Sequence, residues 1–147
     1  MWASEAAHGQ RFEGLATAKV TAQRTLAFNE GGGEYFIGVF GKTPVLYSPD
    51  EPPQITTTQG AVEDWAIINR TSETHAFHIH QTHFLLLQRN GSAQQQYLDT
   101  VDVPANDNIG VRIDFRGMIT GDFVFHCHIL EHEDHGMMAI IRVNPKP

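Results

Sequence analysis

Eight of the nine histidines in this 147-residue sequence fall in two short windows, and only His8 stands apart. The first window reads His75-Ala76-Phe77-His78-Ile79-His80-Gln81-Thr82-His83. The second reads His126-Cys127-His128-Ile129-Leu130-Glu131-His132-Glu133-Asp134-His135-Gly136-Met137-Met138 and contains the single cysteine of the chain. A lone cysteine has no partner for an intrachain disulfide. Set between two histidines, it calls for a chemical explanation, and metal ligation is the chemistry that imidazole and thiolate share.

Side-chain parity divides these residues into two sites. Neighbours along a strand point to opposite faces. His78 and His80 therefore share a face, as do His126 and His128, while Cys127 points the other way. His75 lies three residues before His78 and has the parity of Cys127. His132 and Met137 follow Cys127 by five and ten residues, and a loop can fold both back toward the sulfur. A thiolate, two imidazoles and a thioether suit copper in its type 1 (blue) arrangement. Zinc would accept the same cysteine and histidines but gains little from the thioether. The four remaining histidines, His78, His80, His126 and His128, offer imidazoles that suit copper, zinc, iron or nickel. They either bind one metal or form half of a larger cluster. The order His126-Cys127-His128 joins the two sites covalently and makes these three residues the expected electron path.

The elements that must hold these residues are short β-type runs. They include Arg24–Phe28, Tyr35–Phe40, Ile55–Thr58, Val62–Asn69, Phe84–Gln88, Gly110–Phe115, Asp122–His128 and Met137–Val143. Turn residues separate them, among them Gly31-Gly32-Gly33, Asn90-Gly91 and Gly117–Gly121. Regular short strands of this kind predict an all-β sandwich or barrel. One helical turn is expected around Leu130–His135. Residues 1–20, small and polar, read as a leader or linker, and residues 21–147 as a single domain.

Together the windows resemble the C-terminal copper motifs of the laccase-like multicopper oxidases. The shared pattern is His-X-X-His-X-His followed by His-Cys-His-X3-His-X4-Met, and every ligand position is present here. The resemblance extends to Val62–Asn69 and Leu98-Asp99-Thr100-Val101, and covers roughly residues 24–143. It implies a cupredoxin-like Greek-key domain, the last domain of such oxidases. It implies copper as cofactor, with His75, Cys127, His132 and Met137 holding the type 1 ion. His78, His80, His126 and His128 would supply half the ligands of a three-copper cluster that reduces dioxygen to water. A small-molecule reductant such as a phenol, an aromatic amine or a metal ion is implied, as is a periplasmic or extracellular setting. The family's cluster takes eight histidines, four of them from His-X-His motifs on an N-terminal domain. The missing four must come from another domain or another subunit, and a homo-oligomer is one way to bring them. The rival reading is a single-copper electron-transfer module without turnover of its own.

Composition bounds the rest. With 41% hydrophobic and 18% charged residues, the chain reads as folded and globular. A net charge of -7 argues against a nucleic-acid partner, which needs a basic stripe. No apolar run is long enough for a membrane span. Only four methionines occur, with no methionine-rich insert of the kind that marks family members acting on Cu(I). His83 and His135 read as solvent-facing or near a substrate edge, Asp99 as a position resembling the family's or as a turn or strand-end acid, and Trp65 and Met138 as core.

Overall fold

Alternation of apolar and polar residues becomes alternation of burial. Asn108–Asp114 buries Ile109, Val111 and Ile113 and leaves Asn108, Gly110 and Arg112 only part-buried. A computed structural model describes residues 14–43 and 46–147. Its strands are β1 (Ala22–Gly31), β2 (Glu34–Val39), β3 (Ile55–Thr58), β4 (Val62–Asn69), β5 (His75–Ile79) and β6 (Phe84–Arg89). They continue as β7 (Ser92–Leu98), β8 (Thr100–Val103), β9 (Asn108–Asp114), β10 (Gly121–Cys127) and β11 (Met138–Asn144), with a short helix α1 (Leu130–Asp134) before the last strand.

Two sheets form the all-β sandwich. One has the order β2-β1-β4-β9-β6-β7 and the other β3-β11-β10-β5-β8. The eight expected runs are all strands, with ends displaced by at most three residues. β5, β7 and β8 were not among the expected runs. β7 is a largely exposed edge strand, Ser-Ala-Gln-Gln-Gln-Tyr-Leu, and an edge strand open to water has no apolar face to betray it. Its hairpin with β6 turns at Asn90 and Gly91, with φ of 45° and 85°. Both lie in the left-handed region that a two-residue type I′ turn demands.

The core lies between the sheets. Trp65 of β4 meets Phe77 of β5 and Phe125 of β10 edge-on, with ring centroids 6.3 and 5.3 Å apart. Such edge-to-face pairs add about 0.5–1.5 kcal/mol to simple burial. Within the stretch read as leader or linker, Leu15–Thr17 forms a 3-10 turn. Leu15 is buried in a small cluster with Val62 and Leu85, and Arg112 donates to the carbonyls of Leu15 and Ala16.

One pairing matters most for chemistry. β10 and β5 run antiparallel, with His126 opposite His78 and Cys127 opposite Phe77. The two histidine windows, about fifty residues apart in sequence, thereby become neighbours.

Candidate metal centre

The pleat sorts the ligands as their parity requires. Phe123, Phe125 and Cys127 of β10 and His75, Phe77 and Ile79 of β5 are buried and share the parity that faces the core. His78 and His126 have the opposite parity, on the outer face of the five-stranded sheet. His80 and His128 lie just past the strand ends and are exposed.

Inside the sandwich, Cys127 Sγ lies 3.5 Å from His75 Nδ1 and 3.6 Å from His132 Nδ1. The two imidazole centroids are 4.4 Å apart. Cys127 and His75 are fully buried, and His132 is 5% exposed. Metal–sulfur and metal–nitrogen bonds of about 2.3 and 2.0 Å fit an ion between atoms so spaced. His132 arrives from α1, whose C-terminal turn is closed by Met137 N–H donating to His132 O. Met137 is buried, and its carbonyl accepts the Cys127 N–H at 3.0 Å. Gly136, between them, has φ of +105°, and a Cβ there would sit 3.1 Å from Leu46 Cδ2 and from the Tyr35 carbonyl. Only glycine turns the chain this way without strain.

Electrostatics favour neutral donors. Burial pushes the Cys127 thiol up, opposed by backbone N–H groups of Ala76 and Ile129. Ala76 N–H donates to Sγ at 3.4 Å. Burial, then the neighbouring His132, holds His75 below the usual imidazole range. A buried thiol that resists ionising loses its proton readily only when a metal cation takes its place on the sulfur, so binding a metal here would release a proton to solvent. Tyr35 covers His132 with its ring, centroid to centroid 4.5 Å.

On the outer face, the rings of His78, His80, His126 and His128 crowd together. Centroids are 5.0 Å apart for His80 and His126, 5.1 Å for His78 with His80 and with His128, and 5.2 Å for His78 with His126. His126 Nδ1 donates to the carbonyl of its own neighbour Cys127 at 2.9 Å. His78 Nδ1 is 2.9 Å from the Asp99 carbonyl. Both of these rings are held through Nδ1, and a histidine held by one nitrogen offers the other, here Nε2, to a metal. His80 Nε2 and His126 Nε2 are 2.9 Å apart, a gap that one ion about 2.0–2.1 Å from each nitrogen would span. Burial lowers the titration range of both His78 and His80. An open cleft of about 550 Å³ borders the group, lined by His78, His80, Gln81, His83 and Asp99 among others.

Weaker expectations resolve as follows. His135 is exposed and donates to the Glu131 carbonyl at 2.7 Å. His83 is half-buried at the edge of that cleft, with Nε2 3.9 Å from Asp99 Oδ2. Asp99 stands between β7 and β8 and presents its backbone oxygen to His78. Met138 is only half-buried, while Trp65 is core. Tyr35, Asn69, Thr71 and Thr100 touch the site histidines or their supports and were not singled out by sequence. None carries a ligand side chain of the type that marks a metal site.

The sequence model of the family described as "Multicopper oxidase" matches residues 17–147. A multicopper oxidase of Staphylococcus aureus is 35% identical over 103 residues, covering 63% of this chain and 23% of that protein. A laccase of Bacillus subtilis is 33% identical over 110 residues, covering 60% of this chain and 21% of the laccase. The chain thus spans under a quarter of the curated relatives it matches. Among solved structures, a Campylobacter jejuni multicopper oxidase described as a metallo-oxidase superposes with a TM-score of 0.71 at 26% identity, over 88% of this chain and 31% of that one. A Pediococcus acidilactici multicopper oxidase gives 0.69 at 27% identity, over 86% and 27%.

Proposed function

The chain belongs to the multicopper oxidase family, and we propose that it takes single electrons from a small reducing molecule near His132 and delivers them to dioxygen at the His78–His80–His126–His128 face. His75, Cys127, His132 and Met137 would hold a type 1 copper, and the four outer histidines half the ligands of the oxygen-reducing cluster. Copper, when bound, supplies the one-electron redox chemistry that no side chain here provides.

The observation that carries this reading is the shared backbone of the two donor sets. Cys127 turns its sulfur inward to His75 and His132. The residues on either side of it, His126 and His128, put their rings beside His78 on the outer face. The protein's own contribution is to fix both donor sets, keep water from the buried sulfur and leave the outer histidines open. His80 and His128 are exposed, so a second domain or subunit bearing four further histidines can close the face. A phenol or aromatic amine reaches the buried site only through His132, the one of its two imidazoles with any exposure, beneath the Tyr35 ring.

A second reading, a one-copper electron carrier, is favoured by one observation. Only His8 lies outside the two windows, so the chain alone offers four of the eight imidazoles. Copper-loaded protein separates the two when optical absorption, copper per chain, solution mass and oxygen uptake with an aromatic amine are measured together. The expected result is an intense blue band, with oxygen uptake appearing only in associated protein or with an added histidine-bearing domain. A blue protein that is reduced by the amine yet never consumes oxygen in any association state supports the carrier. A colourless copper complex overturns both.

A further inference from the structure

The one ring proton of neutral His75 can sit on Nδ1, facing the sulfur, or on Nε2, facing away from it. In one tautomer a bare Nδ1 faces Cys127 Sγ, ready to bind a metal. In the other an Nδ1–H donates to Sγ across the 3.5 Å gap, and the nitrogen must lose that proton before it can coordinate. Burial alone does not choose between them.

Hydrogen bonds of residues four and six positions earlier do. Asn69 is 1% exposed, and its Nδ2 donates to three carbonyls, those of Glu73 at 2.8 Å, Val103 at 2.9 Å and Pro104 at 3.1 Å. Turning the amide over would set its oxygen against all three, so its orientation is settled by chemistry. Oδ1 then faces Thr71, accepting its N–H at 2.9 Å and its Oγ1–H at 2.8 Å. The other oxygen near Thr71 Oγ1, the Glu73 carbonyl at 3.1 Å, is likewise an acceptor only. A hydroxyl has one proton, and two oxygens that can only accept, Asn69 Oδ1 and the Glu73 carbonyl, compete for it. Glu73 N–H donates to Oγ1 at 3.3 Å. What remains of the hydroxyl is a lone pair, and His75 Nε2 lies 2.8 Å from it.

We infer that Thr71, clamped by Asn69, is a positioning residue that holds His75 as the Nε2–H tautomer and so presents a bare Nδ1 to the Cys127 sulfur. The inference rests on the copper-site reading for its purpose but not for its test. His75 Nε2 also lies 3.4 Å from Glu30 Oε1, a longer contact from a carboxylate near the end of β1, so Glu30 is the control.

The experiment is ¹⁵N NMR of the metal-free protein, which distinguishes protonated from bare ring nitrogens, on wild type, Thr71→Val, Thr71→Ser and Glu30→Gln. Thr71→Val keeps the shape and leaves Asn69 in place. Expected are a single Nε2–H tautomer in wild type, Thr71→Ser and Glu30→Gln, and a ratio moved about five- to tenfold toward Nδ1–H in Thr71→Val. Copper-loaded Thr71→Val should also show a shifted blue maximum and midpoint potential, both restored in Thr71→Ser. Wild type in the Nδ1–H form, or Thr71→Val with unchanged tautomer ratio and potential, overturns the inference. If wild type never turns blue while the Nε2–H tautomer is present, the copper reading fails and the tautomer assignment stands. Should Thr71→Val not fold, the wild-type tautomer and the Glu30→Gln spectrum still decide.

Discussion

Replacing Arg24 with methionine should lower the melting temperature of the metal-free protein by about 10 °C near neutral pH, with a smaller loss in acid. Glu63 on β4 is 1% exposed and is gripped by Arg24 of β1, Nε to Oε1 at 2.7 Å and Nη2 to Oε2 at 3.1 Å. Trp65 Nε1 donates to the same carboxylate at 2.9 Å. Burial is the largest influence on Glu63 and raises its pKa. Hydrogen bonds from Arg24, Thr57 and Trp65, with the Arg24 charge, outweigh it and bring the group below the usual glutamate range. Breaking a buried pair from one side costs about 3–5 kcal/mol. Arg24 is 26% exposed, and water softens the loss, so about 3 kcal/mol is the fitting figure. At roughly 2.1 cal/mol/K of unfolding entropy per residue, that is about 10 °C for a chain of this length.

The pH dependence supplies the sharper test. A carboxyl whose folded pKa is depressed lends stability above its unfolded pKa, and that stability fades as pH falls through the folded value. Arg24→Met leaves the burial and removes the main counterweight, so the sign reverses and Glu63 prefers to be protonated in the folded variant. The deficit relative to wild type should therefore shrink on acidification through the glutamate range. Circular dichroism melts near pH 7 and near pH 4 measure both quantities. A melting point within about 2 °C of wild type at neutral pH, or a deficit that grows in acid, refutes the reasoning. The blue absorption of copper-loaded Arg24→Met should match wild type, since the pair touches the site only through Trp65 packed on Phe77 and Phe125.

Copper at about a hundredfold excess over its dissociation constant should stabilise the fold by about 2.7 kcal/mol, read as a rise in melting temperature that a chelator reverses. Cys127→Ser should lose the blue band and most of that rise, and a variant that stays blue would refute the sulfur ligand. Gly136→Ala should cost about 1–3 kcal/mol, because a Cβ meets Leu46 and the Tyr35 carbonyl at 3.1 Å in a left-handed conformation. Its blue band should move as well, since the loop carries His132 and Met137. Unchanged stability would show that the turn is slack. His126→Ala should keep the blue band while abolishing metal uptake on the outer face, and loss of the band would mean that the two donor sets are not separate.

Period-two patterning separated inward Cys127 and His75 from outward His78 and His126, because strand geometry leaves a side chain only two directions. The eight strands were legible for the same reason. β7 was not, since its edge position removes the burial that writes a pattern. Leu15 was hidden too, because one leucine among small polar residues gives no period, yet it packs on Val62 and Leu85. The Asn69–Thr71 support was illegible for a different reason. An amide and a hydroxyl serve turns and caps everywhere, and their work here depends on where Val103 and Pro104 place their carbonyls.

Register is what both sites share. A one-residue slip of β10 against its neighbours would move Cys127 to the outer face and drive His126 into the core, since such a slip reverses every side chain. His126, 3% exposed but hydrogen-bonded to the Cys127 carbonyl, would then face Trp65 and Phe77 instead of His78 and His80. Three contacts oppose that slip. Phe125 stands between Ala139 and Ile79 in its two ladders, Cys127 N–H donates to the Met137 carbonyl, and His128 N–H donates to the Ala76 carbonyl at 2.7 Å. The last two come from the segments that carry the other inward candidate donors, Met137 itself and the neighbour of His75. Pairing that fixes the strand therefore also fixes the distance from sulfur to imidazole. The adjacency of His126 and Cys127 puts the two donor sets back to back across a single strand, so neither can be moved without moving the other.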